Sequence, residues 1–102
     1  MKIDTNNFEK ISGKGLKFGI VISTWNHKIT NNLYSSAKIT LEDNGVHPND
    51  ILKMEVPGSF ELIYGAKKMA KNENLDAIIV FGSVIKGETP HFDFICNSVS
   101  QG

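Results

Sequence analysis

The apolar positions of the chain form short runs that alternate with helix-like stretches. The first run, at 16–23, reads LKFGIVIS and is rich in β-branched residues, which is typical of a buried parallel strand. From about Lys28, apolar residues recur every four positions and predict a helix that ends at Asn44-Gly45. The recurring residues are Ile29, Leu33, Ala37 and Leu41. After the turn-forming segment 48–50, a second strand is predicted from Ile51 to Val56.

The second half of the chain continues the same alternation. Pro57-Gly58 breaks the second strand, and Ser59 is predicted to cap a helix that runs to about Lys71. A third strand is predicted from Ala77 to about Ser83, and a third helix near His91. The apolar face predicted for the second helix consists of Phe60, Ile63, Ala66 and Ala70. The order β-α-β-α-β-α predicts an α/β fold in which helices flank a parallel sheet, with residues 1–102 in a single domain.

Three unusual stretches each follow a predicted strand, namely 24–26, 57–61 and 86–91. In parallel α/β sheets, ligands bind at the carboxyl ends of the strands. We therefore expect the three stretches to gather at one edge of the sheet and to form a binding site there.

Composition and charge exclude several classes of function. Eleven basic and eleven acidic residues are scattered along the chain, which argues against nucleic acid as a partner. No apolar run approaches the roughly 20 residues that span a bilayer, and the first residues do not resemble a signal peptide, so we expect a cytoplasmic protein without a membrane partner. Cys96 is the only cysteine, and with three scattered histidines it forms no metal-ligand spacing, so no metal is expected.

Trp25, Ser59 and Glu61 each allow a structural and a functional interpretation. A lone Trp is usually a core aromatic, but a strand-end loop faces solvent, where an indole ring can stack on a flat heteroaromatic ligand. For Trp25 the two interpretations are evenly balanced. A helix cap and a carboxylate at the positive helix end account for Ser59 and Glu61, although their oxygens could also bind the hydroxyls of a polyol.

The segment 87–91, Gly-Glu-Thr-Pro-His, combines a glycine, a hydroxyl and a helix start. Free amides and the helix dipole attract anions, although this pattern lacks the longer glycine motif of a nucleotide loop and also fits an ordinary capped turn. His91 beside an anion site could transfer protons near neutral pH, whereas a solvated histidine at a helix end is the commoner situation.

Taken together, the segments IVISTWN, VPGSFELIYGAKKMA and VFGSVIKGETPHFDFICNSVSQG resemble, in order and spacing, the three signature regions of the lumazine synthase family. The resemblance extends from Gly15 to Gly102. It implies a flavodoxin-like three-layer sandwich that assembles into homopentamers and sometimes into sixty-subunit icosahedral shells. It also implies a transferase of riboflavin biosynthesis that condenses 5-amino-6-(ribitylamino)uracil with 3,4-dihydroxy-2-butanone 4-phosphate, without a metal or organic cofactor.

The resemblance assigns a role to each candidate site residue. The pyrimidine ring is expected to contact Trp25 and Asn26. The ribityl chain is expected to be held by Ser59, Phe60 and Glu61. The uracil is expected to border on Val84, Ile85 and Lys86. The phosphate is expected at the backbone of Gly87, Glu88 and Thr89 and at the Thr hydroxyl, with His91 as the proton-transfer residue.

Members of this family continue with another strand and two helices, so we expect the domain to be C-terminally incomplete. That part supplies the cation, usually Arg, that binds the phosphate, and the present sequence contains no Arg.

Two alternative interpretations are open, and a third disagrees with the sequence. The related archaeal-type riboflavin synthases share the fold, and a non-catalytic assembly or flavin-binding relative would keep it. A phosphoacceptor signalling domain would need acidic residues after its first and third strands, where this sequence has Ser23-Thr24 and Ser83-Val84.

Overall fold

The computed structural model describes residues 11–72, 74–84 and 99–100. Within them, three strands, β1 (Phe18–Ser23), β2 (Ile51–Val56) and β3 (Ala77–Phe81), alternate with two helices, α1 (His27–Asp43) and α2 (Leu62–Ala70). Short 3₁₀ turns at Pro48–Asp50 and Ser59–Glu61 precede β2 and α2. The predicted order of strands and helices is confirmed over these residues.

The three strands form one parallel sheet in the order β2-β1-β3. Residue Phe18 pairs with Ile51 on one side and with Ala77 on the other, so the central strand begins level with both neighbours. A central first strand flanked by the second and third is the start of the flavodoxin-like order. The carboxyl ends of all three strands therefore lie at the same edge of the sheet.

Alternating side chains of β1 divide the core into two layers. Ile20 and Ile22 are fully buried on the face that packs against Tyr34 and Leu41 of α1. Val21 is fully buried on the opposite face with Leu62 and Met69 of α2 and Val56 of β2. This period of two is the geometry of a strand that is covered on both faces. The described residues thus form an α/β three-layer arrangement, as the sequence predicted.

The buried face of α2 differs from the predicted one. Leu62, Gly65 and Met69 are buried, whereas Phe60 lies in the preceding 3₁₀ turn and is 52% exposed. A Cβ at Gly65 would lie 2.8 Å from Val21 Cγ1, so the glycine lets the helix approach the sheet closely. The face predicted from Phe60, Ile63, Ala66 and Ala70 was wrong, because α2 begins only at Leu62 and packs through Leu62 and Met69 as well as Gly65.

Other boundaries shift by a few residues. β1 begins at Phe18 because the chain before it is exposed, with the Lys17 amide donating a hydrogen bond to Asp76 Oδ2 at 2.8 Å. On α1, Ala37 and Leu41 pack against the core as predicted, but Ile29 and Leu33 are 48% and 40% exposed. The third predicted helix, near His91, starts outside the described residues.

Candidate active site at the carboxyl ends of the strands

Main-chain hydrogen bonds join the loop after β1 to the loop after β2. The Thr24 amide donates to the carbonyl oxygen of Val56 at 2.7 Å, and the Trp25 amide donates to that of Pro57 at 3.0 Å. The Thr24 hydroxyl also donates to the Pro57 carbonyl oxygen, at 3.2 Å. These bonds extend the pairing of β1 with β2 beyond the sheet. The first two predicted stretches are therefore neighbours, as expected.

Trp25 lies on this paired segment with its side chain 63% exposed. The alternative that Trp25 is a core aromatic therefore does not hold in this structure. Because its own amide is bonded to Pro57, the backbone that carries the indole ring is fixed while the ring itself remains accessible. An exposed indole on a fixed backbone is suited to stacking on a flat ligand.

Asn26 has a left-handed backbone, with φ of 55° and ψ of 48°, and is the one described non-glycine residue with positive φ. Asparagine tolerates this conformation better than most residues, yet it still costs energy that the surroundings must offset. Its carbonyl oxygen accepts hydrogen bonds from the amides of Ile29 and Thr30 and so starts α1. Its side chain makes no cap hydrogen bond.

The Nδ2 atom of Asn26 is buried and has no hydrogen-bond partner among the described residues. Leaving a buried amide donor unpaired costs about 1–3 kcal/mol, so native proteins usually provide it with an acceptor. An oxygen acceptor beside Trp25, from a ligand or another part of the protein, would satisfy this donor.

Ser59 is buried, and its hydroxyl donates to the carbonyl oxygen of Ser83 at 3.3 Å. It is not the N-cap that the sequence suggested: the cap of the 3₁₀ turn is Gly58, whose amide donates to Glu61 Oε2 at 3.0 Å. The hydroxyl of Ser59 therefore joins the loop after β2 to the segment after β3. Gly82 permits this approach, since an added Cβ there would lie 2.6 Å from Ser59 Oγ.

Phe60 and Glu61 both face solvent next to this junction. One carboxylate oxygen of Glu61 binds the Gly58 amide, which anchors the side chain at the start of the turn. The capping role considered from the sequence thus belongs to Glu61. Capping by one oxygen leaves the second available to accept hydroxyl donors.

Val84 is half-buried and lies in the segment 82–84 that follows β3. It borders a cavity of about 300 Å³ that has a mainly apolar lining. The lining residues are Ser59, Leu62, Val80, Gly82, Val84, Val99 and Ser100. Ser59 and Val84, which sequence reasoning placed around the same substrate, therefore border the same cavity.

The remaining predicted site residues lie outside the described residues. They are Ile85, Lys86, Gly87, Glu88, Thr89 and His91. Within residues 11–72, 74–84 and 99–100, no group of three or more His, Cys, Asp or Glu side chains could hold a metal ion. In the same part of the chain, no helix is long and apolar enough to cross a bilayer.

Sequence reasoning assigned no individual role to Thr24, Thr30 or Gly82, whose contacts determine how the strand-end loops are arranged. Thr30 is fully buried in the first turn of α1, and its hydroxyl donates to the carbonyl oxygen of Ser23 at 2.6 Å. The available signal was a threonine directly after a strand-end loop, where hydroxyl groups often bind local backbone.

A family model described as 6,7-dimethyl-8-ribityllumazine synthase matches residues 15–102. The chain belongs to this family. The 6,7-dimethyl-8-ribityllumazine synthase of Flavobacterium johnsoniae is 55% identical over 91 residues, covering 89% of this chain and 48% of the relative. That of Parabacteroides distasonis is 51% identical over 87 residues, covering 85% and 54%. That of Bacteroides fragilis is 53% identical over 87 residues, covering 85% and 61%.

The chain spans about half the length of the curated lumazine synthases that it matches. All of these relatives carry the same enzyme name, which does not favour the riboflavin synthase or non-catalytic alternatives. The matched region includes all three strand-end stretches, so family membership and the geometry concern the same part of the molecule.

Proposed function

We propose that this chain contributes the pyrimidine-binding part of a lumazine synthase. The reaction condenses 5-amino-6-(ribitylamino)uracil with 3,4-dihydroxy-2-butanone 4-phosphate to give 6,7-dimethyl-8-ribityllumazine. The observation that carries the proposal is that one fixed loop holds an exposed Trp25 next to Asn26, whose buried Nδ2 has no partner among the described residues. A uracil offers both a flat ring and carbonyl oxygens, which is the combination that these two side chains can bind.

The ribityl chain is assigned to the loop after β2. Glu61 has an exposed carboxylate whose position is fixed by the bond to the Gly58 amide, and it can accept hydroxyl donors. Phe60 offers an exposed apolar surface beside it. Since the Ser59 hydroxyl already donates to Ser83, we propose that Ser59 acts mainly through its backbone and through the position it gives to Val84.

The rest of the site is proposed from the family resemblance. Ile85 and Lys86 would border the uracil, and the amides of 87–89 with the Thr89 hydroxyl would bind phosphate. In the reaction, the aromatic amine attacks the ketone and water leaves to give an imine. Phosphate is then eliminated, and the second nitrogen attacks the remaining carbonyl carbon, from which a second water leaves as the ring closes. Each step moves protons, and His91 is proposed to transfer them.

Binding both substrates side by side is proposed to supply most of the rate gain. Effective molarities in ordered sites reach about 10⁵–10⁸ M, whereas general acid–base catalysis contributes about 10²–10⁴-fold. The sequence of steps requires neither a covalent enzyme intermediate nor a metal or organic cofactor.

We also propose that residues 1–102 belong to one domain of a homopentamer, which in some members builds a sixty-subunit shell, and that the protein acts in the cytoplasm. Support for assembly comes from apolar surface along α1, where Ile29, Leu33 and Ile39 are 40–58% exposed. Exposed apolar area of this kind favours burial against another surface.

The test is to purify the complete gene product and supply both substrates while following lumazine formation by absorbance. Lumazine formation that requires both substrates would support the proposal. Riboflavin formation from lumazine alone would instead identify a riboflavin synthase. Binding of lumazine without turnover of either substrate set would identify a non-catalytic relative.

A further inference from the structure

The short link between β1 and α1 is held at both ends by one residue, Thr30. Its hydroxyl donates to the carbonyl oxygen of Ser23 at 2.6 Å, and its amide donates to that of Asn26 at 3.2 Å. Ser23 is the last residue of β1, and Asn26 directly precedes α1. The segment between these two anchors contains Thr24 and Trp25. The backbone that carries the indole is bonded to Pro57 on one side, and Thr30 ties both ends of the same segment to α1.

The position of Thr30 in the core does not explain why this residue carries a hydroxyl group. A fully buried residue between a helix and a sheet is ordinarily apolar, and valine has nearly the same shape as threonine. The bond to Ser23 reaches another element, whereas a threonine in a helix usually bonds within its own helix. Thr40 of the same helix shows that ordinary case, with its hydroxyl donating to the Ser36 carbonyl oxygen at 2.9 Å.

The backbone of the link also needs such an anchor. Asn26 is left-handed, and a conformation of this kind persists only where the surroundings determine it. The hydroxyl of Thr30 additionally lies 3.3 Å from the His27 carbonyl oxygen, which brings the first turn of α1 against the end of β1. The carbonyl oxygens of Ser23 and His27 thus lie next to the Thr30 hydroxyl, and that of Asn26 accepts a hydrogen bond from the Thr30 amide.

We propose that Thr30 is a positioning residue that fixes Trp25 and Asn26 for binding of the pyrimidine substrate. It does not itself touch the substrate, since its side chain is fully buried. The inference rests on the proposed function for its substrate, but the effect on Trp25 can be measured without any ligand. Because the link belongs to the pyrimidine side of the site, loss of the hydroxyl should affect one of the two substrates selectively.

The experiment compares three variants of the complete gene product. Thr30→Val removes the hydroxyl and keeps the volume, Thr30→Ser keeps the hydroxyl, and Thr40→Val is the matched control on the same helix. Trp25 is the only tryptophan within residues 1–102. Any tryptophan that the complete gene product carries elsewhere is first replaced by phenylalanine, so that fluorescence anisotropy and quenching by acrylamide report on this loop in the ligand-free protein. Michaelis constants are then measured for the aminouracil and for the butanone phosphate.

We expect Thr30→Val to lower the Trp25 anisotropy and to raise the Michaelis constant for the aminouracil by about 10-fold, because the substrate must then order a loop that Thr30 no longer holds. The constant for the butanone phosphate should change less than about 2-fold, since the link that Thr30 holds carries only residues assigned to the pyrimidine. Thr30→Ser should restore both signals, and Thr40→Val should resemble wild type.

The proposal is overturned if Thr30→Val and Thr40→Val give the same Trp25 signals, or if the two Michaelis constants rise together. Should Thr30→Val not fold, Thr30→Cys takes its place as a weak donor of similar size. Wild-type signals in Thr30→Cys as well as Thr30→Ser would then reject a role for the hydroxyl. Absence of turnover in the wild type would contradict the proposed function alone, because the ligand-free anisotropy still tests Thr30.

Discussion

The hydroxyl of Ser59 donates a hydrogen bond to the carbonyl oxygen of Ser83, 3.3 Å away, and so connects the loop after β2 with the segment after β3. The bond passes beside Gly82, where a Cβ would lie 2.6 Å from Ser59 Oγ and 2.6 Å from Leu62 Cδ1. The position of the third segment relative to the second therefore depends on the absence of a side chain at Gly82.

Gly82→Ala is predicted to lower the free energy of unfolding by about 1–3 kcal/mol, because the added methyl group overlaps two neighbours. Ser59→Ala alone should cost only about 0.5 kcal/mol, since the bond that it removes is long. The double variant should be more stable than the sum of the two single changes predicts, because removing Oγ relieves one overlap. Urea unfolding of the four proteins measures this coupling. Strict additivity would show that the Ser59–Gly82 contact does not determine the spacing.

Much of the fold could be predicted from the sequence because proline and glycine mark its boundaries clearly. β2 begins and ends where predicted, between the turn at Pro48 and the break at Pro57. The close approach of α2 to β1 could not be predicted, because Gly65 permits it by having no side chain. The hydrogen bond from Thr30 to Ser23 was not predicted either, since a polar residue on a helix is expected to face solvent.

The sequence predicted which loops of the candidate site lie together, but not the contacts that their side chains make. The rule that ligands bind at strand ends correctly brought 24–26 next to 57–61. It could not reveal that the Ser59 hydroxyl is directed to the Ser83 backbone, or that Asn26 Nδ2 is buried without a partner among the described residues. Such details depend on distances between loops that are remote in sequence.

Trp25 fluorescence is predicted to be quenched when 6,7-dimethyl-8-ribityllumazine binds to the complete protein. The indole is 63% exposed, and stacking brings it into contact with the ligand ring. Trp25 is the only tryptophan within residues 1–102, and any other tryptophan of the complete protein is replaced by phenylalanine so that the signal comes from Trp25. Calorimetry on the same sample serves as the control for binding. Unchanged emission at saturation would remove Trp25 from the binding site.

Two substitutions at Asn26 distinguish the effect of its left-handed backbone conformation from the effect of its side-chain amide. Asn26→Ala should be about 1 kcal/mol less stable than Asn26→Gly, because both lose the side-chain amide but alanine adopts the left-handed conformation poorly. Asn26→Gly should be at least as stable as wild type, since glycine adopts this conformation freely and the substitution removes a buried amide that has no partner among the described residues. Both should bind lumazine more weakly in a calorimetric titration. Wild-type affinity in Asn26→Gly would show that the ligand does not use the amide.

His91→Ala is predicted to lower kcat by about 10-fold or more, which is modest for loss of general acid–base catalysis because the substrates remain correctly placed. Glu88→Ala is the comparison. A carboxylate directed at phosphate would repel it, so the backbone of Glu88 is expected to face the ligand. The Michaelis constant for the phosphate substrate should then stay nearly unchanged in steady-state kinetics. Wild-type turnover in His91→Ala would exclude the histidine from proton transfer.

The most direct test of the proposed pyrimidine site is lumazine formation by the complete gene product and by its Trp25→Ala variant, followed by absorbance with both substrates. The account predicts product from the wild type and a loss of about 10–100-fold in kcat/KM for the aminouracil in Trp25→Ala, as expected for removing one stacking contact. Absence of product from the wild type, or equal kcat/KM in both proteins, would contradict it.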